Sequence, residues 1–183
     1  MNFKRTMLTL KVGVGALATT AVFAASAGAC EYPAGEQVFP NDPRAYVLAP
    51  DGDFAAGGAG WSLQGGAAVV DGALSLPAGS SAESPVLCVS QDTPFVRTMV
   101  RNSGDQGARL RVETVYAGLG VTKSSVVAGV TGEWSATQPL STAHGLANIA
   151  GADAGPVTVR FTPLDDRGEW QVDDFYVDPF ARR

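Results

Sequence analysis

The sequence EWQVDDFYVDP at residues 169–179 decides the fold of this chain of 183 residues. Aromatic and β-branched residues dominate the stretch, which favours a pleated, half-buried strand over a helix. Two adjacent carboxylates, Asp173 and Asp174, interrupt it where an ordinary core strand would carry apolar residues. We interpret the stretch as a closing strand whose Asp-Asp pair either caps neighbouring backbone groups or holds a cation.

Short strand-like segments also recur through the chain before this stretch. Apolar or β-branched segments recur about every eight to twelve residues with turns between them, which is typical of an all-β sandwich or barrel. Asp71-Gly72 is a strong hairpin signal. Residues 141–150, which include the only histidine, His144, are predicted to form a helical turn or an ordered loop. The predicted strands are 61–64, 67–70, 73–76, 85–90, 95–101, 108–116, 122–130, 157–162 and 170–177, with one more after a turn at 51–54.

Residues 1–29 have the organisation of a cleaved secretory signal peptide. They begin with basic residues, continue with a short apolar centre, and offer Ala-x-Ala exits at 25–27 and 27–29. A membrane anchor is the alternative, but Gly13, Gly15 and several threonines weaken such a span. The chain is therefore expected to be secreted.

Removing the leader makes the remaining protein strongly acidic. It leaves ten basic residues against eighteen acidic ones, a net charge near -8. Such a charge repels nucleic acid and anionic lipid, so neither is expected as a partner. Residues 30–50 contain four prolines and are predicted to be an irregular arm whose aromatic residues pack onto the domain. Residues 51–183 are predicted to form one β-sandwich domain.

Cys30 and Cys88 are the two cysteines of the chain. In an exported protein an even count favours a disulfide, and a bridge over this span would remove about 4 kcal/mol of unfolded-chain entropy. The alternative is a lipoprotein anchored through Cys30, because residues 27–30 loosely resemble a lipobox. Ala27 stands where leucine is usual, however, and lipidation would leave Cys88 unpaired. The disulfide is the favoured reading.

Three short motifs carry a resemblance to a known family: Gly52-Asp53-Phe54, Gly60-Trp61, and the Trp-x-Val-Asp-Asp-Phe sequence at 170–175. This frame resembles the jelly-roll carbohydrate-binding modules, which are similar to the galactose-binding-like domains of secreted glycosidases. The resemblance implies a two-layer antiparallel β-sandwich of jelly-roll type whose first and last strands pair. It also implies a non-catalytic module that binds an extracellular glycan or cell-wall polysaccharide. The chain as a whole resembles a group of secreted bacterial proteins with the same frame, which adds no implied activity.

The resemblance further implies a structural calcium shared by the two ends of the domain. Its ligands would be the Gly52 carbonyl, Asp53, Asp173 and Asp174. The glutamate that follows the phenylalanine in the family is Ala55 here. Calcium takes six to eight oxygen ligands, so the missing carboxylate weakens this expectation. The alternative is that the two aspartates of the closing strand satisfy backbone donors.

Two pairs of polar residues are candidate glycan contacts. Arg97 and Arg101 share one face of their predicted strand, and Arg111 and Glu113 share one face of the next, because side chains alternate along a strand. If the two strands are neighbours, these residues line one polar face that could bind sugar hydroxyls or carboxylated glycans. A solvated outer face with compensating charges is the alternative.

The three tryptophans are read differently according to their positions. Trp61 and Trp170 lie in alternating strands and are predicted to be core residues. Trp134 follows Gly132-Glu133 at a strand edge, so it is the candidate platform on which a sugar ring would stack.

Two other functions compete with glycan binding. One is a structural or protein-binding surface component without a sugar site. The other is a small secreted polysaccharide-active enzyme that uses His144, Tyr116 and an arginine. The sequence contains no Gly-x-Ser-x-Gly nucleophile motif and no zinc-ligand spacing. Asp165-Asp166 lies in a predicted turn rather than as a separated acid and base. The enzyme is therefore the less favoured alternative.

Overall fold

A computed structural model describes residues 32–90, 95–116, 120–142 and 154–178. These residues form β-strands and no helix, and nothing among them could cross a membrane as a helix. The predicted leader, Cys30 and His144 lie outside the described residues, so the signal peptide, the Cys30–Cys88 disulfide and the role of His144 stay predictions. The strands are β1 Val47–Leu48, β2 Ser62–Gln64, β3 Ala68–Val70, β4 Ala73–Leu76, β5 Ser81–Glu83, β6 Leu87–Ser90, β7 Phe95–Asn102, β8 Arg109–Tyr116, β9 Val121–Ala128, β10 Ser135–Ala136, β11 Leu140–Ser141, β12 Ala154–Pro163 and β13 Trp170–Val177.

The described strands assemble into two antiparallel sheets. The first has the order β10-β7-β13-β4-β3, with β1 beside β13 and β11 beside β7. The second has the order β2-β5-β12-β8-β9, with β6 beside β12. The Phe161 ring of the second sheet meets the Phe175 ring of the first at 5.5 Å between centroids, so the core lies between the sheets. The all-β, two-layer sandwich of jelly-roll type is confirmed.

The closing strand β13 runs through the middle of the first sheet and contains a β-bulge. Its register with β7 shifts between Asp173 and Tyr176, and Asp174 adopts a left-handed conformation with φ 49. The extra residue restores the alternation, so that Phe175 returns to the core after the two carboxylates. The bulge therefore explains how an Asp-Asp pair fits inside a core strand.

The two ends of the domain meet at this bulge. The Ala49 N–H donates to the Phe175 carbonyl and the Phe175 N–H donates to the Gly52 carbonyl, each at 2.9 Å. The Phe54 ring lies 4.9 Å from the Trp61 ring, which lies 5.8 Å from the Phe175 ring. The expected meeting is confirmed. The prediction of a strand after the 51–54 turn is wrong, because Phe54 has φ 52 and turns and bends continue after it.

Local signals account for much of the remaining structure. Asp71 and Gly72 have φ 51 and 77 between β3 and β4, which fits the predicted two-residue hairpin turn of type I′. Trp61 and Trp170 are buried, as predicted. The strand β5 begins at Ser81, where the sequence predicts a turn, because its single apolar residue gives no alternating signal. The arm also contributes β1, which pairs with β13.

Replacing Gly52 by alanine is expected to lower the free energy of unfolding by about 2–3 kcal/mol. A Cβ at this position would lie 2.4 Å from the Phe175 carbonyl oxygen, so the closing contact would have to open. Denaturant unfolding measures the change. The control is Gly132→Ala, where an added Cβ meets no described heavy atom within 4 Å. Equal midpoints for the two variants would contradict the role given to Gly52.

Candidate functional site

The predicted glycan-contacting residues lie on opposite sides of the sandwich. Arg97 and Arg101 are on β7 of the first sheet, whereas Arg111 and Glu113 are on β8 of the second. In each strand the alternate residues face the core, so these four point to the two outer faces. The expectation of one shared polar face is wrong, because the chain crosses from one sheet to the other between β7 and β8.

Arg97 is covered by the N-terminal arm. Its side chain is 9% exposed; Nη1 donates to Asp42 Oδ2 at 2.8 Å and Nε donates to the Thr137 carbonyl at 2.8 Å. The guanidinium also lies 4.0 Å from the centroid of the Phe39 ring, and Phe39 packs against Tyr176 of β13. The packing of the arm onto the domain is confirmed. Arg97 is poorly placed as a glycan contact, since its side chain is almost buried and its Nε and Nη1 donate inside this cluster; its predicted role stays a prediction.

Asp42 is the electrostatic centre of the arm. It accepts hydrogen bonds from the Tyr46 hydroxyl at 2.8 Å and from Arg44 at 3.1 Å, besides the one from Arg97. Burial acts to raise the pKa of Asp42, but the hydrogen bonds from Tyr46, Arg44 and Arg97 outweigh it, so the pKa lies below its usual value. Burial and the neighbouring carboxylate raise the pKa of Tyr46. The arm is therefore held by an ionised aspartate.

We expect Asp42→Asn to destabilise the protein by about 1–2 kcal/mol at neutral pH, because Arg97 loses its charged partner. The lowered pKa means that Asp42 contributes stability above the ordinary aspartate pKa of about 3.9. That contribution is lost as the pH falls through the lower folded value. Thermal unfolding of both proteins between neutral and acidic pH measures this. A difference that stays constant down to the lowest pH would argue against the ion pair.

Arg101 and Trp134 come together on the uncovered part of the first sheet. The Arg101 guanidinium lies 4.7 Å from the centroid of the Trp134 ring, and its Nε donates to Gln171 Oε1 of β13. Trp134 and Arg101 are both partly exposed. The structure thus pairs one predicted arginine with the predicted stacking residue, but on the face opposite Arg111 and Glu113.

The outer face of the second sheet carries a recess of about 360 Å³, which we call the polar groove. Strands β2, β5, β12 and β8 supply most of its lining. The described lining residues include no aromatic residue, so recognition here would depend on hydrogen bonds and not on stacking. The lining is Ser62, Gln64, Gly79, Ser80, Ser81, Glu83, Arg111, Arg160 and Thr162.

One row of side chains across this sheet makes hydrogen bonds between neighbouring strands. Direct cross-strand pairing aligns Ser62, Glu83, Arg160, Glu113 and Ser124. Arg160 donates to Glu83 Oε2 through Nε at 2.9 Å and Nη2 at 2.6 Å, and the Ser124 hydroxyl donates to Glu113 at 3.0 Å. Burial acts to raise the pKa of Glu83, but hydrogen bonds from Thr158 and Arg160 more than reverse this and lower it. Contacts between neighbouring strands therefore hold Glu83, Arg160 and Glu113 of this row, which has two acidic residues and one basic residue.

The neighbouring row contains two polar atoms without hydrogen-bond partners. Thr162 on β12 stands directly opposite Arg111 on β8. Thr162 Oγ1 and Arg111 Nε are both buried and make no hydrogen bond, although Arg111 Nε lies 3.2 Å from Glu113 Oε2 as an ion pair. A buried polar group without a partner costs about 1–3 kcal/mol, so such groups are rare unless they serve another role. Both atoms belong to residues that line the polar groove.

Sequence reasoning missed most of this groove. It identified Arg111 and Glu113, but Gln64, Glu83 and Thr162 carried no signal of their own. Alternation along residues 157–162 places Arg160 and Thr162 on one face, and that signal was available. The sequence does not reveal the strand order β2-β5-β12-β8, because this order places strands that are far apart in the sequence next to one another.

The four residues proposed for calcium do not form a ready cation site in this structure. Burial, followed by the charges of Asp174 and Asp53, raises the pKa of Asp173, so the three carboxylates are close enough to interact. The Gly52 carbonyl accepts from Phe175, however, and Asp173 Oδ1 accepts from the Asp174 N–H at 2.8 Å. Among the described residues, no group of three or more acidic, histidine or cysteine side chains is placed to hold a metal ion. The calcium site stays a prediction.

In chelator-treated protein we expect Asp173→Asn to raise the thermal midpoint at neutral pH. Because the pKa of Asp173 is raised on folding, its ionisation opposes folding as the pH rises through that value. The gain should vanish below about pH 3.9, where the unfolded chain is also protonated. Asparagine keeps the oxygen that accepts from Asp174. Added calcium should stabilise the native chain alone if the predicted site exists; no shift with millimolar calcium would contradict that site.

Comparison with known proteins identifies the fold of this chain but assigns it to no family. No protein-family model and no curated protein matches the sequence. Among solved structures, the xylan-binding module CBM15 is similar with a TM-score of 0.50 at 11% identity, over 76% of this chain and 99% of that one. The family 16 carbohydrate-binding module 2 gives 0.47 at 14% identity, over 72% and 99%. The CBM22-1 xylan-binding domain from Paenibacillus barcinonensis Xyn10C gives 0.45 at 14%, over 68% and 88%. The chain therefore has the jelly-roll fold found in carbohydrate-binding modules.

Proposed function

We propose that this chain is a secreted, non-catalytic module that binds an extracellular or cell-wall polysaccharide in the polar groove. The observation that carries the proposal is an open recess lined by Arg111, Arg160 and Glu83, in which the hydroxyl of Thr162 makes no hydrogen bond. A sugar hydroxyl can accept from the exposed part of the Arg111 guanidinium, and a rotation of Thr162 would let its hydroxyl donate to or accept from a second one. Ligand binding would thus give the Thr162 hydroxyl a hydrogen-bond partner that it lacks in the free protein.

The charge balance of the groove favours a neutral glycan. Arg160 is paired with Glu83, and Arg111 lies beside Glu113, so the lining presents both donors and acceptors without a large net charge. Because ion pairs fix these side chains, little conformational entropy remains to be lost on binding. The groove volume of about 360 Å³ is at the lower end of the usual range for ligand sites. An uncharged polysaccharide rich in hydroxyl groups fits this chemistry.

The same electrostatics argue against hydrolysis in the groove. A glycosidase acid needs a carboxyl group whose pKa is raised, so that it keeps its proton near neutral pH. Hydrogen bonds from Thr158 and Arg160 instead lower the pKa of Glu83, the carboxylate that lines the groove. Glu83 therefore serves as a fixed acceptor and not as a proton donor.

The test uses Thr162→Val and soluble xylan, the ligand class that the name of CBM15 suggests, with β-1,4-galactan as a second neutral glycan. Valine keeps the shape of threonine and removes the unpartnered hydroxyl. We expect unchanged or slightly higher stability, with binding weakened about 5- to 30-fold, the loss of one or two hydrogen bonds. Affinity electrophoresis and calorimetric titration measure binding, and thermal unfolding measures stability.

Arg109→Lys is the matched control. Arg109 lies on the same face of β8 as Arg111, is more exposed, and pairs with Asp165 outside the groove. It should leave binding unchanged, whereas Arg111→Lys should weaken it because lysine lacks the planar set of donors of the guanidinium. Binding that survives both Thr162→Val and Arg111→Lys would rule out the groove. Failure to bind either glycan would favour the structural or protein-binding alternative, and reducing-sugar release would favour the enzyme.

A further inference from the structure

The uncovered end of the first sheet carries a second row of polar side chains. Arg101, Gln171 and Ser75 are direct cross-strand neighbours on β7, β13 and β4. Arg101 Nε donates to Gln171 Oε1, and the Ser75 hydroxyl donates to Glu169 Oε1 at 2.6 Å. The indole of Trp134 lies against the Arg101 end of the row. We call these five residues the indole strip.

Backbone contacts fix the position of the indole. Trp134 is in the turn between β9 and β10, and both ends of that turn are tied to β7. The Asn102 N–H donates to the Thr131 carbonyl at 3.0 Å, and Ser135 of β10 pairs with Val100. Glu133 and Ser135, the neighbours of Trp134 in the chain, are exposed. Trp134 itself is partly exposed and lies outside the hydrophobic core. The chain thus holds a large aromatic ring in place on a solvent-facing surface.

The strip retains unused hydrogen-bonding capacity. In the described residues, Arg101 and Gln171 use the Nε and the Oε1 for their mutual bond, and Glu169 uses Oε1 for Ser75. The guanidinium Nη groups, the Gln171 amide nitrogen and Glu169 Oε2 make no hydrogen bond with the described part of the chain. Planar donors and an acceptor therefore stand beside an aromatic ring, with one positive and one negative charge in balance.

We propose that the indole strip is a second glycan-binding site on the face opposite the polar groove. The C–H face of a pyranose would lie on the indole face that Arg101 does not cover, and its hydroxyls would bond to Arg101, Gln171 and Glu169. The occupant is a neutral sugar chain, because the charges of the strip cancel. The two sites face in opposite directions, so one molecule holds two chains. The proposal shares with the proposed function only the class of ligand, and the two faces are tested separately.

Calorimetric titration with xylohexaose and with β-1,4-galactotriose measures the number of sites on the whole protein. We expect two bound oligosaccharides per native molecule. Trp134→Ala should reduce the number to one, and the groove double variant Thr162→Val/Arg111→Lys should also reduce it to one. With soluble xylan, light scattering should show cross-linked particles for the native protein and none for either variant.

Glu133→Gln is the matched control, because Glu133 is an exposed neighbour of Trp134 in the same turn and is not part of the strip. It should retain two sites and the cross-linking. Thermal unfolding of each variant shows that a lost site reflects lost contacts and not unfolding. Trp134→Phe, which keeps an aromatic surface, should recover at least part of the binding that Trp134→Ala loses.

The outcomes separate the two proposals. One site per native molecule that the groove variant abolishes would overturn the indole strip and leave the proposed function standing. One site that Trp134→Ala abolishes while the groove variant binds normally would overturn the polar groove and retain the strip. Two sites that both survive Trp134→Ala would overturn the strip, and absence of binding to either oligosaccharide and to xylan would count against both sites.

Discussion

Two backbone hydrogen bonds at Phe175 complete the first sheet at the point where the two ends of the domain meet. The strand β13 pairs with β4 over its first half and with β1 over its last residues, so its middle needs another partner. The loop at 49–52 supplies that partner, with an acceptor for the Phe175 N–H and a donor for its carbonyl. A buried backbone group without a partner is costly, which makes this contact obligatory. The aromatic cluster of Trp61, Phe161 and Phe175 packs next to it.

The N-terminal arm covers one part of the outer face of the first sheet and leaves another part exposed. Arg97 and Arg101 are four residues apart and point the same way, but Arg97 lies where Phe39 and Asp42 cover the sheet. Arg101 lies beyond the arm and remains partly exposed beside Trp134. The second sheet has no such cover over its polar groove in the described part of the chain. Position relative to the arm, and not residue type, therefore decides which arginines can meet a ligand.

Sequence reasoning reached the fold because its signals are local. Alternation in β8 and β12 is long and regular, and the Asp71-Gly72 turn specifies its hairpin directly. Strands such as β5 and β10 have two or three residues, too few for a periodic pattern.

The candidate sites were less accessible to sequence reasoning because they depend on pairing between distant strands. Arg101 and Arg111 look alike in sequence, yet the sheet order places them on opposite faces. The importance of Thr162 follows from the register that sets it opposite Arg111 and from the burial of its hydroxyl, and neither is a property of the residues around it in the chain.

The two proposed sites differ in a way that makes their combination useful. In the polar groove most new hydrogen bonds replace hydrogen bonds to water, so the net contribution of each of these is only about 0.5–1.5 kcal/mol. The indole strip adds apolar contact on a fixed ring, which favours binding of many pyranoses but distinguishes them poorly. Either surface alone would release a single sugar chain readily. A rigid module with both surfaces binds its second chain at the high local concentration created by the first, provided that neighbouring chains lie within reach. Retention would then depend on the density of the polysaccharide network, and selectivity would come from the geometry of the groove.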